Sequence, residues 1–209
     1  HATKDEEEHA KKTCGNHERG GQSMAVKKGL TQISTANIRR SGIPASGKST
    51  IARQLSQTFG LPLLTIDGIK EPFMARFTDI DRPFNRQLGC AAYEAIWSIV
   101  GQSPAGCVWV IDAWFGFQPK EMLQRLAQDA GVGRVIEVWN QIPPEVAVAR
   151  YAQRLAQRLP GHPGEEYLPE LALLAERAEP MRLGAVYCVD QQVQPDIGEV
   201  CDWIDAQVR

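Results

Sequence analysis

Gly42-Ile43-Pro44-Ala45-Ser46-Gly47-Lys48-Ser49-Thr50 constrains this chain more than any other stretch. It fits G-x-x-x-x-G-K-[ST], in which a glycine-rich turn leads into a helix and wraps backbone N–H groups around phosphates. A chance match in a chain of 209 residues is on the order of one in a hundred at average residue usage. Gly42 and Gly47 carry no Cβ, so the main chain can turn sharply and approach an anion. In this pattern Lys48 reaches the β- and γ-phosphates and the Ser49 hydroxyl sits on Mg²⁺. The helix that follows aims its positive end at the same anion. The competing reading is a Gly/Ser turn before an ordinary helix, so the surrounding pattern has to decide.

From Gly42 onward, strands and helices alternate. Ile51, Leu55 and Phe59 recur every four residues and give the helix after the loop an apolar stripe, which Gly60 stops. Leu61–Ile66 reads as a short apolar strand ending at Asp67. Asp81 can cap a long helix with Phe84, Leu88, Ala91, Ala95 and Ile99 on one face. Cys107–Ile111 reads as a buried strand ending at Asp112, followed by a helix from Pro119 to about Ala130 and a strand over Val135–Trp139. Pro144 opens a helix that runs to about Leu159, where Pro160-Gly161-His162-Pro163-Gly164 breaks it. Leu168–Ala178 reads as helix and Ala185–Val189 as the last strand. Asp196–Val208 reads as a terminal helix with Ile197, Val200, Ile204 and Val208 inward. Such alternation implies parallel βαβ units and a doubly wound α/β sheet.

One segment fits poorly. A buried central strand should precede the loop, yet Ser34-Thr35-Ala36-Asn37-Ile38-Arg39-Arg40-Ser41 is polar, and Arg39-Arg40 would be costly in a strand covered on both faces. Either Ile33–Arg40 forms a distorted strand or the segment has diverged and weakened the core. Upstream, residues 1–40 hold no aromatic residue, since every Phe, Trp and Tyr lies from Phe59 onward. Residues 1–30, with the acidic run Asp5–Glu8, are therefore expected to form a disordered or leader tail, and residues 31–209 the folded domain. The spacing of His9, Cys14 and His17 matches no standard metal site.

In parallel α/β sheets, ligands gather at the carboxyl ends of the strands. Asp67 and Asp112 lie at two such ends. Asp112, closing an apolar strand, has the position of a carboxylate that supports the Mg²⁺ shell, or else caps the next segment. Asp67 is placed to accept the proton of an attacking hydroxyl, or to cap a helix beginning near Ile69. Arg150, Arg154 and Arg158 are four residues apart and form one helical stripe. The stripe is either a solvated face or part of a lid, approximately residues 150–168, whose arginines neutralise charge on a transferred phosphoryl group. Arg76, Arg82 and Arg86 are candidates for pairing with an anionic acceptor, or are simply solvated. Trp114, Phe115 and Phe117 either wall a pocket or pack on the lid, and His162 in its loop reads as an ordinary exposed histidine.

Composition weighs against several classes, although a local basic groove stays open. A net charge of −2 offers no basic field for nucleic acid or anionic membrane. Five scattered cysteines (Cys14, Cys90, Cys107, Cys188, Cys201) without a C-x-x-C pair argue against a disulfide framework and for a reducing, cytoplasmic setting. No apolar run approaches a membrane span.

Taken together, Gly42–Thr50, Leu61-Pro62-Leu63-Leu64 leading to Asp67 and Lys70, and the Leu88-Gly89-x-Ala91-Ala92-Tyr93-Glu94 helix resemble a known family. Pro144-Glu145-Val146 with Arg150 and Arg154, and His162-Pro163-Gly164, extend the likeness over about residues 41–190. The family is the small bacterial P-loop kinases of the "AAA family ATPase" type, akin to chloramphenicol phosphotransferase and zeta-toxin kinases. The resemblance implies a P-loop NTPase, nucleoside-kinase-like fold: three α/β/α layers, about five parallel strands and a helical lid. It also implies ATP and Mg²⁺, with Lys48 on the phosphates, Ser49 on the metal, Asp67 as acceptor base, and Arg150 and Arg154 in the lid. Ala45 stands where relatives often have Gly, and Asp112-Ala113-Trp114-Phe115 where they often have Glu-Gly-Asn-Phe. The expected activity is phosphorylation of a hydroxyl on a small molecule, an antibiotic or a sugar-like metabolite. The alternatives are a toxin-like nucleotide-sugar kinase and a nucleotide-binding module with little catalysis.

Overall fold

Short runs of apolar and β-branched residues pair side by side and leave the polar linking segments to helices. The computed structural model describes residues 36–41, 43–114 and 119–208. The expected tail, Gly42 of the loop, and Phe115 and Phe117 lie outside them. The strands are β1 (Ala36–Ser41), β2 (Leu63–Thr65), β3 (Trp109–Asp112), β4 (Arg134–Gln141) and β5 (Ala185–Asp190). They form one five-stranded sheet in the order β2-β3-β1-β4-β5, with every pairing parallel.

The polar segment before the loop is thus the central strand after all, over Ala36–Ser41. Asn37 pairs with Trp109 on one side and Val135 on the other, and the ladder runs on to Ser41 opposite Trp139. A strand flanked on both sides satisfies its backbone groups whatever its side chains are. Its neighbours contribute Val110, Ile111, Ile136 and Val138, all buried. Successive strands lie to one side of β1 and then to the other, so strand order reverses at β1, where α/β sheets open a crevice for ligands.

Helix α1 (Lys48–Phe59) ends at Gly60, whose φ of 62° is the left-handed turn expected there. Its Ile51 and Leu55 join Ile136, Val138 and Val189 in one core cluster. Val200 and Ile204 of α7 (Ile197–Val208) complete that cluster. A second cluster joins α3 (Arg82–Gln102) and α4 (Lys120–Asp129) to Ile111 of β3. Asp81 caps α3 as expected, accepting from the Phe84 N–H at 2.8 Å.

The buried face of α3 differs from the expected stripe. Ala92, Tyr93, Ile96, Trp97 and Val100 point inward, while Ala91 is exposed and Ile99 is 37% exposed. Apolar residues occupy two adjacent stripes of this helix, and the stripe with the larger aromatic area is the one that is buried.

Two further boundaries move. β2 stops at Thr65 and α2 (Ile66–Met74) begins at once, so Asp67 sits inside the first turn of a helix. The cap is Thr65, whose hydroxyl accepts from the Gly68 N–H at 2.8 Å. Helix α5 (Pro144–Gln153) is shorter than expected and passes into a 3₁₀ turn over Leu155–Gln157. Pro160 disfavours the helical region at the residue before it, and the chain tightens one turn earlier. Arg158, already extended at φ −85° and ψ 146°, therefore leaves the stripe that would have held all three arginines. Helix α6 (Leu168–Arg177) packs on α5 through Ala147, Tyr151 and Leu171. Cys90, Cys107, Cys188 and Cys201 are free thiols. Among the described residues no helix is long and apolar enough to cross a membrane.

Candidate active site

The loop between β1 and α1 is anchored by Ile43, which is 2% exposed and packs with Ala147, Tyr151 and Leu171. Asn140, near the end of β4, donates to the Ser46 carbonyl at 3.3 Å. Ala45 and Gly47 both take positive φ, 64° and 77°. Gly47 is the cap residue of α1, and no side chain caps that helix or places an acid in its first turn. The first N–H groups of α1 and the positive end of its dipole are therefore left for an anion. Gly47 also has no room for a larger residue, since an added Cβ would stand 2.5 Å from the Gln191 Oε1. The buried Ser46 hydroxyl has no hydrogen-bond partner among the described residues.

Beside this loop opens a cleft of about 370 Å³, lined by Gly47, Thr50, Gln54, Arg150, Arg154 and the segment from Gln191 to Pro195. Arg150, half-buried on α5, donates to the Gln191 carbonyl at 3.1 Å, which fixes its guanidinium against the loop. Arg154, at the end of α5, is exposed. Both were expected at the surface, and Arg150 departs from that because its hydrogen bond holds it down. Val193, 62% exposed, gives the cleft an apolar wall.

Asp112 ends β3 opposite Thr65 of β2 and Arg40 of β1. It is 4% exposed, and its Oδ1 has no hydrogen-bond partner among the described residues. A buried carboxylate oxygen without a donor is costly, and a cation shell would satisfy it. Ser49, in the first turn of α1, offers a hydroxyl oxygen as a second donor. The donor set is hard oxygen and fits Mg²⁺.

On the other side of β3, helix α2 presents Asp67, Lys70 and Glu71 within one turn. Asp67 is the exposed member, its side chain 56% accessible, and the Lys70 Nζ lies 3.9 Å from its Oδ1. His162 is not the exposed histidine expected from its loop. Its side chain is 3% exposed, with Nε2 3.2 Å from the Glu71 Oε1 and Nδ1 3.3 Å from the Arg158 Nη2. Because a guanidinium only donates, Nδ1 accepts and Nε2 carries the proton that Glu71 receives. Burial, then the nearby Lys70 and Arg158 charges, hold His162 below the usual histidine pKa, in keeping with a neutral ring. Ligand atoms of Asp67, Glu71 and His162 lie within 4.8 Å of one another. With both ring nitrogens engaged and two cations adjacent, the group is a strut between segments rather than a metal site.

The segment after α5 is docked rather than loose. Asn85 donates to the Gly161 carbonyl, and Tyr151 to the Pro163 carbonyl at 2.9 Å. Arg158 lies 4.6 Å from the centre of the Tyr151 ring. Burial pushes the Tyr167 phenol up to about 12. Arg82 is taken by Glu170, while Arg76 and Arg86 are exposed, so Arg82 ties α3 to α6 instead of waiting for an acceptor. Trp114 packs against the Ile43–Tyr151 cluster. Glu71 and His162 were missed as site residues. Their signal was the spacing of Asp67, Lys70 and Glu71, which lines up on one face only once the helix is started at Ile66.

No family model and no curated protein matches this chain. Solved structures do. A candidate kinase from Chloroflexus aurantiacus shares 26% identity over 83% of this chain and 98% of its own, with a TM-score of 0.70. A gluconokinase from Sinorhizobium meliloti 1021 shares 18% identity over 85% of this chain and 93% of its own, at TM-score 0.53. Shikimate kinase from Acinetobacter baumannii, solved with shikimate, shares 19% over 87% and 98% at TM-score 0.50. The fold is that of the small P-loop kinases.

Proposed function

We propose that this protein is an ATP- and Mg²⁺-dependent phosphotransferase acting on a hydroxyl of a small molecule, an antibiotic or a sugar-like metabolite. The observation that carries the reading is the uncapped start of α1 at Gly47-Lys48, facing a cleft that Arg150 borders. Backbone N–H groups and Lys48 hold the β- and γ-phosphates of ATP. The base and ribose occupy the cleft between Arg154 and the Val193 wall. Ser49 and Asp112 would hold Mg²⁺, which would supply positive charge to offset that of the phosphates.

Phosphoryl transfer needs little covalent help from the protein, so catalysis is positioning plus charge stabilisation. Asp67 takes the proton of the acceptor hydroxyl as its oxygen attacks the γ-phosphorus. Arg150 and Arg154 stabilise charge on the transferred group. The 158–162 segment, joined to α2 by the His162–Glu71 contact, holds in place the helix that carries Asp67. The structural likeness to small P-loop kinases supports this scheme without selecting an acceptor, since shared scaffolds host many acceptors, and the closer kinship with chloramphenicol phosphotransferase and zeta-toxin kinases rests on the sequence resemblance alone. A module that only binds nucleotide was suggested by the polar segment before the loop. That motive weakens with Ala36–Ser41 paired on both edges at the centre of the sheet.

The test is a panel of hydroxyl compounds incubated with Mg²⁺-ATP, scored by mass for addition of a phosphoryl group. At least one should be phosphorylated, and Asp67→Asn should lower that rate by about 10²–10⁴-fold with ATP affinity kept. A wild-type protein that modifies nothing, or an Asp67→Asn variant with full activity, contradicts the reading.

A further inference from the structure

The spacing within the Asp67–Lys70 pair carries a second role on the acceptor side, one that rests on the phosphotransferase reading above. Lys70 Nζ stands 3.9 Å from the Asp67 Oδ1, too far for a direct hydrogen bond. A single oxygen about 2.8 Å from both atoms fits between them. The Lys70 side chain is 9% exposed and that of Asp67 is 56% exposed, so the carboxylate opens to solvent while the ammonium backs it from inside. An ammonium has three donors. Among the described residues none of these donors is within hydrogen-bond distance of an acceptor.

A structural ion pair three residues apart on a helix would close to contact, because a buried ammonium with unmade hydrogen bonds is costly. This one stays open. Glu71 does not fill the gap: among the described residues no hydrogen bond or ion pair joins it to Lys70, and its Oε1 faces His162. Arg158, the other cation in the cluster, is held by the His162 ring and the Tyr151 face.

We propose that Lys70 is a catalytic residue which, with Asp67, clamps the acceptor hydroxyl. Lys70 donates to the hydroxyl oxygen and Asp67 accepts its proton. As the O–H bond breaks, the proton passes to an Asp67 carboxylate oxygen and the new O–P bond forms at the γ-phosphorus. The bond from the γ-phosphorus to the β–γ bridging oxygen breaks, and its electron pair leaves with ADP. Lys70 keeps its own proton throughout and stabilises negative charge on the attacking oxygen. Burial holds its amine below the ordinary lysine range, with Asp67 opposing that shift. A less basic ammonium is the stronger donor to an oxygen that is becoming an alkoxide.

The experiment uses water and glycerol as surrogate acceptors, so it does not depend on knowing the natural one. Purified wild type, Lys70→Met and Lys70→Arg are given Mg²⁺-ATP, with release of phosphate and formation of glycerol phosphate measured. Lys70→Met should lower kcat by about 100-fold, the scale of one lost donor to developing charge. Its KM for ATP should stay within about twofold, and Lys70→Arg should recover part of the rate. In protein labelled with ¹⁵N at lysine Nζ, Asp67→Asn should move the Lys70 titration to lower pH, because the carboxylate is what raises it. Lys70→Met at more than a third of the wild-type rate, or a loss confined to KM for ATP, overturns the proposal. So does a Lys70 titration that ignores Asp67→Asn. A wild type that transfers to neither acceptor overturns it as well. Calorimetry then separates the two readings, since retained ATP binding leaves the phosphate cradle standing and lost binding removes it too.

Discussion

The His162 Nε2 lies 3.2 Å from the Glu71 Oε1, and this contact joins the segment after α5 to the helix that carries Asp67. Arg158 completes the strut at the other ring nitrogen. The neutral ring makes both contacts, whereas an imidazolium loses the Arg158 bond and faces the Lys70 and Arg158 charges. Folding therefore lowers the pKa of His162 from 6.5, with burial the largest cause. A base whose folded pKa is depressed contributes stability that is present above its unfolded pKa. That contribution is lost as pH falls from about 6.5 through the lower folded value. Thermal melts between pH 7.5 and 5 should show wild type losing more stability than His162→Gln over that window. Parallel curves would show that the ring does not sense pH.

Ala45 holds φ 64°, a conformation that strains any residue with a Cβ. The left-handed penalty is about 1–2 kcal/mol, and glycine returns roughly 0.5–1 kcal/mol of it as chain entropy. Ala45→Gly is expected to stabilise by about 0.5–1 kcal/mol, a Tm rise of roughly 1–4 °C for a domain this size. Gly47→Ala should do the reverse and weaken ATP binding, because its Cβ meets Gln191. Differential scanning calorimetry of both variants checks the pair of signs.

Arg150 and Arg154 should behave differently although both border the cleft. Arg150 is tied to the Gln191 carbonyl and Arg154 is exposed. Arg150→Ala should lower kcat by about 10²–10³-fold. It should also cost about 1 kcal/mol of stability through the lost hydrogen bond, or roughly 2–4 °C in Tm. Arg154→Ala should leave Tm unchanged and reduce turnover less. Equal effects on Tm would show that the Gln191 contact carries no weight.

Much of this was legible because its causes are local. The loop motif, the Asp81 cap, the Gly60 stop and Asp112 at its strand end each depend on a few adjacent residues. The face of α3 was not, because Ile99 and Trp97 are equally apolar and only the partner layer chooses between them. The start of α2 was missed because Thr65 reads equally well as a strand residue and as a helix cap, which hid the shared face of Asp67, Lys70 and Glu71. The docking of His162 depends on α2 and on the early end of α5, neither of which has a signal near residue 162. The central strand was doubted on side-chain polarity, while its place came from backbone pairing with two apolar neighbours.

In the proposed function the turn at Gly47 and the ammonium of Lys48 together grip a triphosphate. Isothermal titration calorimetry with Mg²⁺-ATP tests it most directly, on wild type and Lys48→Ala in parallel. Wild type should give saturable heat at micromolar to submillimolar ATP, and Lys48→Ala should bind at least about tenfold more weakly, a loss of roughly 1.4 kcal/mol or more. No uptake by wild type at millimolar ATP, or unchanged affinity in Lys48→Ala, would contradict it.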